Sequence, residues 1–276
     1  MREGLAGQRI VLFESRLGAE LSELVRRSGG DPVCVPAVVE RRRPVGRELA
    51  ALLDMLRTGD GAPAFVFSTG VGARALFDEA RALGRAPELV EALQRGGSIC
   101  RGPKAVAALH REGLAATLKA RSPYTTSDLV EELAGLDLAG LPVVLVHYGE
   151  RNEPLVQALA SQGAVLLELL VYAWELPEDT APLAHAAEAL VRGEFAAAAF
   201  TTQVQARHLL SIASRIGRRN QVVSALRSRV VVAAVGPTCA RVLEELGVPP
   251  HVVPEAPRMG SMLEALVERL ATRSAA

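Results

Sequence analysis

The sequence predicts an α/β protein built from two parallel-sheet domains. Three observations predict it: an internal repeat at a nearly constant offset, short apolar runs alternating with helical segments in both copies, and glycines where the helical segments stop. In the repeat, Phe67-Ser68-Thr69 matches Phe200-Thr201-Thr202, followed by Val71 with Val204, Ala73 with Ala206, Arg74 with Arg207 and Leu76 with Leu209. Gly84-Arg85 falls on Gly217-Arg218, and all these pairs are 133 positions apart. Gly102-Pro103 then matches Gly236-Pro237, Leu109 matches Leu243, Gly113 matches Gly247, Ser127 matches Ser261 and Leu129 matches Leu263, at an offset of 134. A one-residue slip over so long an ordered series is the signature of duplication. The start joins more weakly, with Val11-Leu12 on Val144-Leu145 and Gly30 on Gly163.

Taken in order, Arg9 to Phe13 is a short apolar run, and residues 19–27 have helical spacing ending at Gly29-Gly30. Ala64 to Phe67 reads as a strand, Gly72 to Leu83 as a helix stopped by Gly84, Ser98 to Arg101 as a strand and Lys104 to Arg111 as a helix stopped by Gly113. Val143 to Val146, Ala196 to Phe200 and Val230 to Val235 repeat the strand pattern. Brief apolar runs between helices of about a dozen residues imply parallel sheets covered on both faces. Two such sheets give two flavodoxin-like domains, whose ligands are expected at the carboxyl ends of the strands, in a cleft between the domains. Two further segments, residues 35–40 running into Arg41-Arg42-Arg43 and residues 169–175 running to Pro177, are β-prone and follow a strand–helix unit in each half. They are expected to pair as a two-stranded hinge. The arginine run reads either as a solvated loop or as an attractor for an acidic ligand.

Composition narrows the function classes. Hydrophobic residues make up 49% and aromatics 4%, so Ala, Val and Leu must fill the cores. The formal net charge is +0, which gives no electrostatic case for a nucleic-acid or membrane partner. Lys104 and Lys119 are the only lysines. Cys34, Cys100 and Cys239 are far apart, lack metal-ligand spacing, and read as small buried hydrophobes in a reducing compartment. The N-terminal apolar run is too short for a signal peptide, and Arg or Glu interrupts every apolar stretch before membrane length, so a soluble, cytoplasmic chain is expected. No long apolar surface stripe is evident, which favours a monomer.

The strand ends carry the chemistry. Ser68-Thr69-Gly70 and Thr201-Thr202-Gln203 each follow a strand and open a helix, as do Gly102-Pro103-Lys104 and Gly236-Pro237-Thr238. Glycine and small hydroxyl residues there leave backbone N–H groups facing outward, and a helix N-terminus favours an anion. Four such openings suit a polycarboxylate. Ordinary helix capping is the competing explanation. Gly70-Val71-Gly72-Ala73-Arg74-Ala75 is a loose dinucleotide fingerprint, but it lies outside the first strand–helix turn and lacks the acidic residue about 20 positions on. Its copy, Gln203-Val204-Gln205, has neither glycine. No phosphate-loop lysine, nucleophile elbow or H-E-x-x-H occurs. His110, His147, His185, His208 and His251 are scattered and read as surface or helix-end residues, so neither a metal nor a cofactor is expected.

With these blocks in order, the chain resembles the uroporphyrinogen-III synthases over nearly its whole length. The resemblance rests on Val11-Leu12 through Ser15-Arg16; Gly30 to Pro36; Phe67-Ser68-Thr69; Gly102 to Leu109; Tyr148-Gly149-Glu150; Gly163 to Tyr172; Phe200-Thr201-Thr202; and Val235-Gly236-Pro237-Thr238. It implies a discontinuous domain of residues 1–37 plus 177–276, a second domain of 41–169, and linkers at 36–41 and 169–176. It implies a cofactor-free lyase of porphyrin biosynthesis. Hydroxymethylbilane, a linear tetrapyrrole with eight carboxylates, would be received from hydroxymethylbilane synthase, then cyclised with inversion of the terminal pyrrole and loss of water. Tyr172 resembles the family's donor to the departing hydroxyl. Arg16, Ser68, Thr69, Gly70, Gly102, Pro103, Lys104, Gly149, Arg151, Thr201, Thr202, Gln203, Gly236, Pro237 and Thr238 fall where substrate contacts are expected. The chain departs from the family in having Ala105 and Cys239 where threonine is frequent, and Arg151 stands away from the usual arginine position. Those departures motivate an alternative, a non-catalytic tetrapyrrole- or anion-binding regulator. Against it, no DNA-binding module is visible in the chain. A second alternative, a nucleotide-sugar transferase, lacks its diphosphate loop and acidic ribose clamp.

Overall fold

The structure is a computed structural model that describes residues 4–58, 62–147 and 149–274. In chain order the elements begin β1 (Arg9–Leu12), α1 (Gly18–Arg27), β2 (Asp31–Cys34), β3 (Val39–Arg42), α2 (Gly46–Thr58), β4 (Ala64–Phe67) and α3 (Gly70–Ala82). They continue α4 (Ala86–Gly96), β5 (Ser98–Cys100), α5 (Pro103–Arg111), β6 (Leu118–Lys119), α6 (Thr126–Leu133), β7 (Pro142–Val146), α7 (Glu153–Ser161) and β8 (Val165–Leu169). The last are β9 (Tyr172–Glu175), α8 (Ala181–Arg192), β10 (Ala197–Phe200), α9 (Gln203–Arg215), α10 (Arg219–Ser228), β11 (Val231–Ala234), α11 (Pro237–Glu245) and α12 (Met259–Ser274).

The chain forms two units, residues 1–39 with 175–276, and residues 40–174. In the first, four parallel strands run β11-β10-β1-β2, and a parallel bridge from Ala233 to Val252 lengthens the outer edge. In the second, five parallel strands run β6-β5-β4-β7-β8. Each sheet has one seam where successive connections change direction, β1 beside β10 and β4 beside β7. The repeat equates β1 and β2 with β7 and β8. Spatially the two sheets share one order, but the chain builds the halves of each sheet in opposite succession. It lays down β1 and β2, completes the second unit, and returns for β10 and β11. Strands β3 and β9, at the two crossings of the chain between units, pair with each other.

Burial follows the strand period of two. Val11, Phe13, Ala198, Phe200 and Val232 face one core of the first sheet, and Ile10, Leu12, Ala197, Ala199 and Val231 face the other. Helices α8 to α11 cover the former, and α1 and α12 the latter. In the second unit Phe65, Phe67, Val144 and Val146 point to one core, and Ala64, Val66, Val143 and Leu145 to the opposite one. β4, β10 and β11 are buried at every position, as a doubly covered parallel strand requires. Phe13 stacks on Phe200 at 4.9 Å, an aromatic pair that locks the seam of the first sheet.

One cysteine departs from the sequence-based expectation. Cys100 and Cys239 are buried, and burial pushes both thiols up to about 12. Cys34 is exposed, because β2 is the edge strand of its sheet.

Candidate functional site

In the second unit the seam ends in Ser68 and Thr69 after β4, and His147 after β7. Thr69 has extended backbone and is the N-cap of α3, its hydroxyl accepting from Gly72 N–H at 3.0 Å. The same Oγ1 lies 3.0 Å from the Tyr172 hydroxyl, which brings a residue of β9 to the mouth of α3. Tyr172 is 2% exposed, and its ring meets Trp174 edge-on at 6.1 Å. Ser68 is 3% exposed, and its Oγ is buried with no hydrogen-bond partner among the described residues.

The mouths of α3 and α5 are neighbours. A Cβ on Gly70 would lie 2.3 Å from the carbonyl oxygen of Lys104, so the two helices approach this closely only because residue 70 has no side chain. Gly102 is the N-cap of α5 and Gly236 of α11; both are extended, both are followed by proline at the first helical position, and neither mouth has a side-chain cap. Pro103, Lys104, Pro237 and Thr238 are exposed at these two mouths. Ala105 and Cys239, one residue further on, are buried, and the Cys239 thiol donates to the Phe200 carbonyl at 3.6 Å.

The copy in the first unit is chemically different. Gln205 Oε1 accepts from Thr201 N–H at 2.7 Å and from Thr202 N–H at 3.2 Å, the second bond being part of a capping box on α9. Glu14, which follows β1, accepts from the Thr201 hydroxyl, from Gln205 Nε2 at 3.1 Å and from Leu17 N–H at 3.1 Å. Thr201 is therefore half-buried and engaged within the protein, Thr202 is exposed and Gln203 is buried. Arg16, on the loop before α1, is exposed.

The loop after β7 is tied down by its own network. His147 is 2% exposed rather than at the surface. Its Nδ1 accepts from Asn152 N–H at 3.2 Å, so Nε2 carries the proton and donates to Glu168 Oε2 at 2.8 Å. Burial pushes the imidazole below its ordinary value. The Arg151 guanidinium holds the Glu168 carboxyl below the usual carboxylate range, bonding it at 2.8 and 2.9 Å, and it also reaches Glu153. Arg151 is thus paired with two of the protein's own carboxylates. Gly149 sits at φ +100, where a Cβ would strike the Trp174 ring at 2.4 Å. Tyr148, part of the motif singled out in the sequence, lies outside the described residues.

Sequence reasoning missed Glu14, Gln205 and the His147–Glu168 pair. The spacing Thr202-x-x-Gln205 was a legible capping-box signal. The repeat offset also aligns Gln205 with Gly72 and Glu14 with His147, marking where the copies diverge. Among the described residues no group of three or more His, Cys, Asp or Glu could hold a metal, and no helix is long and apolar enough to cross a membrane.

Comparison with known proteins places this geometry in context. The sequence profile of the family described as uroporphyrinogen-III synthase HemD matches residues 19–264. A Bacillus subtilis (strain 168) protein named "Uncharacterized protein YjjA" is 30% identical over 271 residues, 97% of this chain and 98% of that protein. The crystal structure of a mutant uroporphyrinogen III synthase from the extremely thermophilic bacterium Thermus thermophilus is 30% identical, with a TM-score of 0.80 over 96% of this chain and 99% of that one. Uroporphyrinogen-III synthetase from Helicobacter pylori 26695, 17% identical with a TM-score of 0.55 over 95% and 99% of the two chains, shares the fold. The duplicated parallel sheets, the paired strands at the crossings and the profile match over most of the chain agree: this protein belongs to the uroporphyrinogen-III synthase family.

Proposed function

We propose that the chain is a cofactor-free uroporphyrinogen-III synthase, a lyase of porphyrin and haem biosynthesis that converts hydroxymethylbilane into the inverted macrocycle with loss of water. The observation that carries the reading is the Thr69–Tyr172 hydrogen bond, which ties a phenol to the mouth of α3. Thr69 Oγ1 accepts from Gly72 N–H, so its own proton is available to the phenol oxygen. With the phenol oxygen supplied in that way, the phenol proton is released toward a departing hydroxyl.

In the proposed reaction Tyr172 gives that proton as the C–O bond breaks, and water leaves with the bonding pair. The protonated azafulvene is attacked by the terminal pyrrole through its substituted carbon. The spiro centre so formed breaks the bond to the neighbouring methylene, and the fragment recloses inverted. The proton lost when the last pyrrole regains aromaticity returns to the phenolate. One bilane thus gives one macrocycle and one water, with no redox step.

Because the bilane closes uninverted by itself, the protein's contribution is conformational: it holds the carboxylates so that the spiro route is faster. Ser68, Thr69 and Gly70 at α3, Gly102, Pro103 and Lys104 at α5, and Gly236, Pro237 and Thr238 at α11 are the proposed carboxylate contacts. The mouths of α5 and α11, without side-chain caps, would contribute backbone N–H donors, which makes the missing hydroxyls at Ala105 and Cys239 tolerable. Hydroxymethylbilane synthase is the proposed supplier of substrate, and a monomer in the cytoplasm is the proposed working form.

The test is to generate hydroxymethylbilane in situ with its synthase, add this protein, oxidise, and separate the isomers by chromatography. Type III product is expected. Type I product alone, with folded protein, would replace the reading with that of a tetrapyrrole-binding protein without synthase activity.

A further inference from the structure

The two seams of the duplicated fold hold opposite chemistry at equivalent positions. Glu14, Thr201 and Gln205 in the first unit stand 133 positions from His147, Ser68 and Gly72 in the second. We propose that Glu14 is a built-in carboxylate filling an anion seat at the first seam, so that this seat is closed to ligand and the carboxylate reading at the seam falls to the second unit alone.

The seat is assembled from three donors on two helices. Glu14 Oε1 takes the N–H of Leu17, the N-cap of α1, and Oε2 takes the Thr201 hydroxyl and Gln205 Nε2 at the start of α9. Glu14 is 9% exposed, and no arginine, lysine or histidine pairs with it among the described residues. A buried carboxylate in that position is supported by hydrogen bonds and by two helix N-termini rather than by a counter-ion. An ordinary capping box accounts for Gln205 Oε1 on the Thr202 N–H, and the same oxygen also takes the Thr201 N–H. It does not account for the carboxylate beyond them, which occupies the place at the switch in strand order where α/β sheets take their ligands.

At the second seam no equivalent carboxylate stands among the described residues. His147 spends both ring nitrogens on Asn152 and Glu168. Gly72 offers no side chain where Gln205 bridges two amides. The Ser68 hydroxyl, in place of the engaged Thr201 hydroxyl, is buried and unpartnered among the described residues. Duplication produced two anion seats. The copy with Glu14 and Gln205 has its seat satisfied internally, and the copy with His147 and Gly72 leaves a hydroxyl for ligand.

The experiment exploits the size of the removed group. Glu14→Ala deletes a CH2–COO⁻ unit, which free acetate reproduces. Melting temperature would be followed against sodium acetate, with sodium chloride at matched ionic strength as control. Glu14→Ala is expected to melt below wild type and to regain melting temperature with acetate but not chloride, while wild type responds equally to both salts. A Glu14→Ala protein that responds alike to both salts, or a wild type rescued as strongly, overturns the proposal. Should Glu14→Ala fail to fold, Glu14→Gln decides: it keeps the shape, removes the charge, and is expected to melt below wild type without an acetate response. A melting temperature equal to wild type overturns the proposal.

The consequence for substrate rests on the synthase reading. Ser68→Ala is expected to raise KM for the bilane several-fold, and Thr201→Val to leave KM unchanged while lowering the melting temperature; the reverse pattern overturns the assignment to the second unit. The acetate experiment uses no tetrapyrrole. Its failure leaves the synthase reading intact, and a failed isomer assay leaves the acetate result standing.

Discussion

Thr69 is predicted to be energetically coupled to Tyr172, and a double-mutant cycle measures that coupling. Thr69→Val preserves shape but removes the acceptor for Gly72 N–H and the partner of the Tyr172 hydroxyl. Loss of the cap costs about 1 kcal/mol. Loss of the hydrogen bond to the phenol costs about 1 kcal/mol more. Thr69→Val should therefore destabilise the second unit by about 2 kcal/mol. Tyr172→Phe keeps the ring against Trp174 and loses the hydroxyl's bond, about 1 kcal/mol. The double variant should cost about 2 kcal/mol rather than the sum of about 3, leaving a coupling of about 1 kcal/mol. Trp174 is the only tryptophan in the chain and lies beside Tyr172, so its fluorescence in a urea titration reports on the unit that carries the pair. A coupling below about 0.3 kcal/mol, the scatter of independent sites, would refute the claim that Thr69 holds the phenol. In the isomer assay both single variants should lower the rate of type III formation, Tyr172→Phe the more strongly. An undiminished Tyr172→Phe enzyme would remove the phenol from the donor role.

Two further outcomes follow from the same site. Gly70→Ala places a methyl group 2.3 Å from the Lys104 carbonyl oxygen, so α3 and α5 must separate; a loss of about 1–3 kcal/mol is expected in the same urea titration, and a variant as stable as wild type would show that the close approach is not required. Acid should destabilise the second unit in two stages. His147 has its folded pKa pushed below the ordinary 6.5, so its contribution is complete above 6.5 and is lost as pH falls through the folded value. Glu168 is held below the ordinary 4.5 by Arg151, so its contribution is complete above 4.5 and is lost as pH falls further. His147→Asn should flatten the first stage and leave the second; an unchanged pH profile of Trp174-monitored stability would contradict the buried neutral imidazole.

The strands were legible because parallel strands covered on both faces read as short continuous apolar runs. Ala64 to Phe67 and Ala196 to Phe200 carry almost nothing else, and the core faces alternate along them as the period of two demands. Helix ends were legible where local chemistry decides them, as at Thr69, Thr202 and the Gly-Pro starts of α5 and α11. The cysteines were only partly legible, since Cys34 lies on an edge strand, and edge position is a property of the assembled sheet. The histidines misled for the same reason: in the sequence His147 is one polar residue after an apolar run, and its burial depends on Glu168, 21 residues away on the adjacent strand.

By itself, then, the sequence determined the duplication, the alternation of strand and helix, the four glycine- or hydroxyl-bearing helix mouths and the resemblance to a family, because periodicity, capping and repeat offset are carried by neighbouring residues. Only the tertiary structure decided which mouths are taken. Glu14 reaches Gln205 and Thr201 across 191 and 187 residues, and Thr69 reaches Tyr172 across 103. Such pairings arise where sheet order brings strand ends together, and no local pattern encodes which distant side chain will supply the carboxylate or the phenol.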